Sequence, residues 1–478
     1  MGSITFIIIL VTAYSYMLAV ISLGAQKSLA PDAGDLFFVL LVPALNEEHV
    51  IGSTLAHLLA MSGDFIILVI DDASDDGTVA VVTPFLTDRR VRLLERPRAQ
   101  ARRGKGDSLN AGFTAVQHLQ LTQRYRPEDI VLVVFDADAQ VDANFLSAIT
   151  PYFRDPSTAG VQCAVRMYNA RRNLLTLWQH LEFTIWDALF CQAKDRLGSA
   201  TLGGNGQCVR LSALAELEPA PWQSSSLTED LDLSLQLIVN GWRLRFCPTT
   251  AVWQEAVPGL RRLVRQRSRW IQGHLVCWQY VPVLLRGGLP AHTVLDLLVF
   301  LFMPMLFLPI GLTSIAAWQQ FWRHLGNWSI IDLFGWYLLG FGMAPLAAIA
   351  WARSERPSIR RALLHGHTFI FYSAVWLLAV VVACSNIMLG RRAWAKTSRV
   401  APRPAVVSRL SYGYPALADA AAERFKALTP VIRQIQEEII ATQYQLDVTI
   451  GVAQAFSQKI GSSSELCPTS PDANQEVS

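Results

Sequence analysis

The chain runs to 478 residues, enough for two or three domains, with 52% hydrophobic and 17% charged residues and a mean hydropathy of +0.29. Soluble domains carry about a quarter charged residues, so long apolar stretches must dilute the rest. A net charge of +3 is too small to argue for a nucleic-acid partner. Seven cysteines (163, 191, 208, 247, 277, 384 and 467) without a CxxC pair read as free thiols in a reducing compartment.

Residues 1–26 hold no charged group and form the first of four apolar runs. The others are 293–319 with only Asp296, 329–352 with only Asp332, and 368–390 with none. Each reaches the ~20 residues that cross a bilayer as a helix. The first lacks the basic start of a signal peptide and is long for its apolar core. The expectation is a transmembrane helix at 1–26 and further transmembrane helices within 291–390. Arginines set the orientation: five between 261 and 269, four at 353, 356, 360 and 361, and Arg391, Arg392, Lys396 and Arg399 after the last run. Positive flanks stay in the cytoplasm, which places 27–290 there, at a bacterial-type inner or plasma membrane. Three full spans after residue 290 would put 391–399 outside, so one of those runs is expected to be interfacial or re-entrant.

Residues 35–255 read as a soluble α/β domain. The runs Phe37–Val42, Phe65–Ile70 and Ile130–Phe135 are continuous and apolar, and helical patterns at Glu48–Leu59 and Ser108–Leu119 alternate with them. Such strands predict a mostly parallel sheet covered on both faces, with ligands beyond the carboxyl ends of the strands. Residues 256–290 are amphipathic, basic and suited to a membrane surface. A cytoplasmic helical segment is expected at 391–460 and a disordered polar tail at 461–478.

Four groups carry chemistry. Asp71-Asp72, within the acidic stretch Asp71–Asp76, directly follows a strand. Their carboxylates can accept from a uracil-type N–H and ribose hydroxyls, or simply cap the next helix. Asp136-Ala137-Asp138 sets two hard oxygen ligands at i and i+2, where Mg²⁺ or Mn²⁺ can be shared with a diphosphate. Thr228-Glu229-Asp230 opens a helix that Gly241 stops. Thr228 suits an N-cap and the acids suit the helix start, while Asp230 also suits a general base. In Gln266-Arg267-Ser268-Arg269-Trp270, positions 266, 269 and 270 share one helical face. Arginine can bind pyrophosphate in two-pronged fashion and an indole can stack on a sugar, although a basic helix with tryptophan at a membrane interface looks the same.

Taken in order, DD, DxD, TED and QxxRW resemble the signature of the family 2 inverting, membrane-integrated glycosyltransferases that include cellulose, hyaluronan, chitin-oligosaccharide and poly-N-acetylglucosamine synthases. The Pro43-Ala44-Leu45-Asn46-Glu47 opening, the lysine-bearing loop around Lys105 and the segment 394–397 add to the likeness. The resemblance implies an α/β GT-A fold, Rossmann-like and nucleotide-sugar-binding, beside a transmembrane helical region. It implies a nucleotide-sugar site at Pro43, Asn46, Glu47, Asp71, Asp72, Lys105, Asp136, Gln266 and Arg269, with Asp138 and Asp136 on the metal, Mn²⁺ or Mg²⁺. Asp230 would be the base, and Gly204, Asn205, Gln207, Glu229 and Trp270 would face the acceptor. Gly203–Gln207 departs from the cysteine-containing version in cellulose synthases, and no cellulose-type gating loop follows Trp270. The expected reaction moves a hexose, from UDP-glucose or UDP-N-acetylglucosamine, to a growing β-linked polysaccharide. The alternatives are a single addition to a membrane lipid and, further off, a non-catalytic membrane scaffold. The oligomeric state is left open.

Overall fold

The computed structural model describes residues 2–24, 29–32, 34–323 and 329–390. The expectations for 391–460 and 461–478, and the segment 394–397, lie outside them. Strands β1 (Phe37–Ala44), β2 (Phe65–Asp71), β3 (Val91–Glu95) and β4 (Ile130–Val134) pair in parallel, in the order β3-β2-β1-β4. Beyond them lie β5 (Gln140–Val141), β6 (Thr158–Met167), β7 (Gln207–Arg210) and β8 (Arg243–Gln254), completing an eight-stranded sheet ordered β3-β2-β1-β4-β7-β6-β8-β5. Because β7 runs antiparallel to both β4 and β6, the sheet is mixed. The expectation of a mostly parallel sheet holds along β3-β2-β1-β4 and again for the β6–β8 pair, and fails at β7 and β5.

The central strands are buried on both faces. Phe38, Leu40 and Val42 of β1 join Ile67, Val69, Ile51, Leu55 and Leu58 on one side, while Val39 and Leu41 join Leu68, Ile70, Leu109 and Phe113 on the other. Side chains alternate across a strand, so a strand covered by helices on both faces has no polar positions. Each such aliphatic side chain contributes about 1.5–3 kcal/mol on burial. The covering helices are Ile51–Leu59 on the first side, and Lys105–His118 with Glu229–Val239 on the second. They bring the ends of β1, β2 and β4 to one edge of the sheet, where the acidic motifs sit.

On that edge lies the helix Leu260–Val276, with Ile271 packed against Ala379, Val380 and Ala383 of Ser373–Met388. Two helices among the described residues, Ala291–Gly311 and Ile359–Met388, are long and apolar enough to cross a membrane. Ile330–Phe341 and Ala344–Glu355 qualify only as a pair, bent by 52°, which has the form of a broken span or a re-entrant loop. Gly342 follows the first of these helices, and Pro345 opens the second without an N–H to donate back. The first run forms the helix Gly2–Leu23, within which the stretch Ile8–Leu23 is apolar but shorter than a span. Four apolar runs in the sequence therefore correspond to two helices long and apolar enough to span, one bent pair and one N-terminal helix.

Candidate active site

A cavity of about 1520 Å³ opens at the strand ends and continues between the helices. Its polar end is built from motif residues. Pro43 lies near the end of β1 and Glu47 follows it, Asp72 follows β2, and Asp136 follows β4; Lys105, Gly204, Asn205, Glu229, Asp230, Gln266, Arg269 and Trp270 complete the wall. Asn46, Asp71, Asp138 and Gln207 do not line it. Asn46, at φ 54°, exchanges hydrogen bonds with the Asp75 side chain (2.5 Å) and backbone N–H (3.0 Å), tying the loop after β1 to the loop after β2. Asp71 accepts from the Ser74 N–H at 3.1 Å and turns that second loop. Gln207 is wholly buried within β7.

Charges at the polar end are matched at short range. Asp72 accepts from the Arg96 guanidinium and from the Arg102 N–H (3.0 Å), and Arg96 also reaches Asp107 at 2.5 Å. Burial raises the Asp72 pKa, against the pull of Arg96 and Arg102. Lys105 begins its helix after Gly104, whose φ of +134° suits glycine and lets the loop lie against the Ser224 carbonyl. Its Nζ lies 2.6 Å from Asp136, donates to the Gly204 carbonyl, and stands 3.7 Å from Glu229. Burial disfavours that ammonium, yet Asp136 and Glu229 hold its pKa above the usual lysine value. Gly204 itself leaves room: a Cβ there would stand 3.2 Å from Asp230 Oδ2 and 3.4 Å from Lys105 Nζ.

Asp230 sits in the first turn of its helix, where its Oδ1 accepts from the Leu231 N–H at 2.8 Å. Burial, and next the neighbouring Glu229 charge, push its pKa up to about 7. Such a carboxylate exchanges a proton near neutrality, which is what a general base needs. Thr228 stands at the N-cap position, but its hydroxyl makes no capping bond. A Cβ on Gly273 would come within 2.2 Å of that hydroxyl, so the 260–276 helix touches the Thr-Glu-Asp turn backbone-first.

Gln266, Arg269 and Trp270 do face one way, into the cavity. Trp270 is less free than the sequence suggests. The Arg267 guanidinium lies 3.9 Å over its ring, and Phe183 and Trp376 pack at 6.2 and 6.4 Å. Arg267, which the sequence placed in a basic surface cluster, is buried and bonded to Glu182 at 2.5 Å. Tyr372 (3.0 Å) and Trp376 (2.8 Å) donate to the same carboxylate. Arg96, Arg102, Glu182 and Arg267 escaped sequence reasoning. Arg96 follows the end of β3, a strand whose alternating charges hid it; Glu182 had no signal at all.

For a divalent ion, no group of three or more ligand side chains occurs among the described residues. An ion shared with a diphosphate needs only one or two carboxylates, and Asp136 with Asp138 offers two hard oxygen donors after one strand. Asp136 lines the cavity, while Asp138 is buried and its Oδ2 accepts from the Glu255 N–H at 3.0 Å. The donor set fits such an ion.

The mixed sheet with acids at its strand ends defines a GT-A-like fold. A mannosyltransferase from Pyrobaculum calidifontis, solved with GDP-mannose and Mn²⁺, shares it at a TM-score of 0.50 and 18% identity, over 78% of this chain and 99% of that one. Residues 35–273 match the family model "Glycosyltransferase like family 2", and the chain belongs to that family. It is 33% identical over 274 residues to a beta-monoglucosyldiacylglycerol synthase of Trichormus variabilis, covering 56% of each chain. It is 25% identical over 236 residues to a poly-beta-1,6-N-acetyl-D-glucosamine synthase of Staphylococcus aureus, covering 49% of this chain and 53% of that protein. The chain thus spans little more than half the length of these relatives.

Proposed function

We propose that the protein transfers one hexose, glucose from UDP-glucose, to the free hydroxyl of a membrane lipid of the diacylglycerol type, with inversion at the anomeric carbon. The observation that carries this reading is the continuity of the cavity. The wall that holds Asp72, Lys105 and Asp230 runs without a break into Ile8, Val11, Phe300, Met303, Phe307, Trp336 and Leu377. An acyl chain can lie among such side chains while its headgroup reaches the carboxylates. The activity in the name of the Trichormus relative supports the same acceptor.

In this mechanism Asp230 takes the proton of the acceptor hydroxyl as its oxygen attacks the anomeric carbon. The bond from that carbon to the diphosphate oxygen breaks, and the nucleoside diphosphate leaves from the opposite side. Lys105 and Arg269 balance the departing charge, and Asp72 holds the nucleoside. A divalent ion held by Asp136 and Asp138 would add Lewis-acid stabilisation of the diphosphate. The polysaccharide expectation takes second place: the name of the Staphylococcus relative favours it, and the apolar chamber does not. Acids retained at all three motifs argue against a scaffold.

The test is direct. Purified protein in mixed micelles, given labelled UDP-glucose and dioleoylglycerol, is expected to form a lipid carrying one sugar, resolved by thin-layer chromatography. A ladder of longer products, or label only in water-soluble polymer, sinks the lipid reading.

A further inference from the structure

His274 has no part in the mechanism above, yet it lines the same cavity. It lies one turn beyond Trp270 on the same helix and faces the cavity. Its neighbour Gly273 abuts Thr228, two residues before Asp230. The helix that carries the imidazole therefore runs against the turn that carries the proposed base. Across from it is Phe300 of the 291–323 helix, ring to ring at 4.9 Å and 73°. Phe300 begins a line of cavity-facing residues that continues through Met303, Pro304 and Phe307 into the apolar chamber.

The ring is polar where its setting is not. Its Nδ1 is buried and has no hydrogen-bond partner. A buried polar atom left unpaired calls for an account, such as strain, a bound water or ion, or a functional role, and one that lines a cavity is placed to meet a ligand. Burial first, and then the Lys194 ammonium behind it, depress its pKa to about 4. At neutral pH it is uncharged, with one ring nitrogen that donates and one that accepts. Neither a diphosphate nor a metal-bound anion favours a neutral ring over the Lys105 and Arg269 cations close by. A lipid headgroup with a hydroxyl beside ester carbonyls suits it, because that pair offers one donor and several acceptors.

We propose that His274 hydrogen-bonds the ester-bearing glycerol backbone of the lipid acceptor and so presents the free hydroxyl to Asp230. This inference rests on the lipid-acceptor reading. It assigns His274 to acceptor positioning, with no role in holding the donor. A residue that only supports the fold would disturb donor and acceptor alike.

The experiment uses the full chain in mixed micelles, with UDP-glucose, dioleoylglycerol and its dialkyl ether analogue. His274→Ala is expected to raise the KM for dioleoylglycerol at least tenfold while UDP affinity stays within twofold of wild type. His274→Gln, which keeps a donor and an acceptor, is expected to recover part of that loss. The wild type is expected to prefer the ester lipid to the ether lipid, and His274→Ala to lose the preference. An unchanged acceptor KM in His274→Ala, an ester preference that survives, or a parallel loss of UDP affinity overturns the assignment while leaving the lipid reading intact. If the wild type glucosylates neither lipid, the lipid reading fails and the His274 assignment falls with it.

Discussion

Where Asp72, Asp136 and Lys105 meet, every charge is answered by another across the strand ends, and the backbone of β1, β2 and β4 fixes the spacing. A few residues further along the same cavity, the wall is made of helices, where Phe300 meets the His274 ring and Phe307 stacks on Trp376. The first region can recognise a charged, rigid ligand because its own polar groups are already oriented. The second fits something apolar and variable in shape, since ring contacts ask for area more than for fixed hydrogen bonds. Asp230 and the 260–276 helix form the seam between them. A reaction joining a nucleotide-sugar to a lipid needs such a seam.

That contrast can be broken at the seam first. Asp230→Asn is expected to lower kcat by ~10²–10⁴ with UDP affinity unchanged by calorimetry; wild-type turnover would remove Asp230 from the chemistry. The next largest effect belongs to the helical side. Arg267→Met leaves Glu182 without its cation and should cost about 3–5 kcal/mol of stability, read as a lower unfolding midpoint, while UDP still binds to whatever remains folded. Equal loss of UDP affinity in the folded fraction would show that the two regions are not separable. Gly273→Ala presses on Thr228 and should cost about 1–3 kcal/mol through overpacking, lowering kcat more than it alters the UDP-glucose KM.

The smallest effect sharpens the picture most. With Asp230 near pKa 7, kcat/KM should rise as pH climbs through neutrality, because the base works only when deprotonated. Glu229 is one of the causes of that raised value. Glu229→Gln should therefore move the acid limb to lower pH, with a gain at pH 7 of at most about twofold from ionisation. A limb that stays in place, or moves up, would show that Glu229 does not set the titration.

The sequence revealed the charged region at the strand ends far better than the other. β1, β2 and β4 are legible because burial on both faces leaves nothing but apolar residues, and the motif acids begin where each run stops. β3 is not, since Arg92 and Glu95 interrupt it at an edge of the sheet. β8 is broken by a bulge: Cys163 pairs with Cys247 and Ala164 with Ala251, so residues 248–250 have no partners in β6. The inversion at β7 left no mark in a four-residue strand. Gln266, Arg269 and Trp270 could be placed on one face from helical spacing alone. The burial of Arg267 could not, because its partner Glu182 lies 85 residues away. His274 was passed over for the same reason: its setting is made by Phe300 and Lys194, on other elements.

One buried cluster decides how this protein can be handled. Lys194 of the catalytic body meets Asp296 of the 291–323 helix, and Asp296 also accepts from Ser199 at 2.6 Å and from Tyr14 of the first helix. Both charged side chains are almost wholly out of solvent. Trimming the chain at Asp35 to gain solubility would strip Tyr14 from that carboxylate, and ending it before residue 291 would remove both the Asp296 carboxylate and the Phe300 ring that lie against the Lys194 ammonium. A buried charge deprived of its partner is among the costliest single losses a fold can suffer. The catalytic body is therefore tied to its helices, and efforts to crystallise or immobilise it should keep residues 2–390 together, since Tyr372 and Trp376 also hold Glu182.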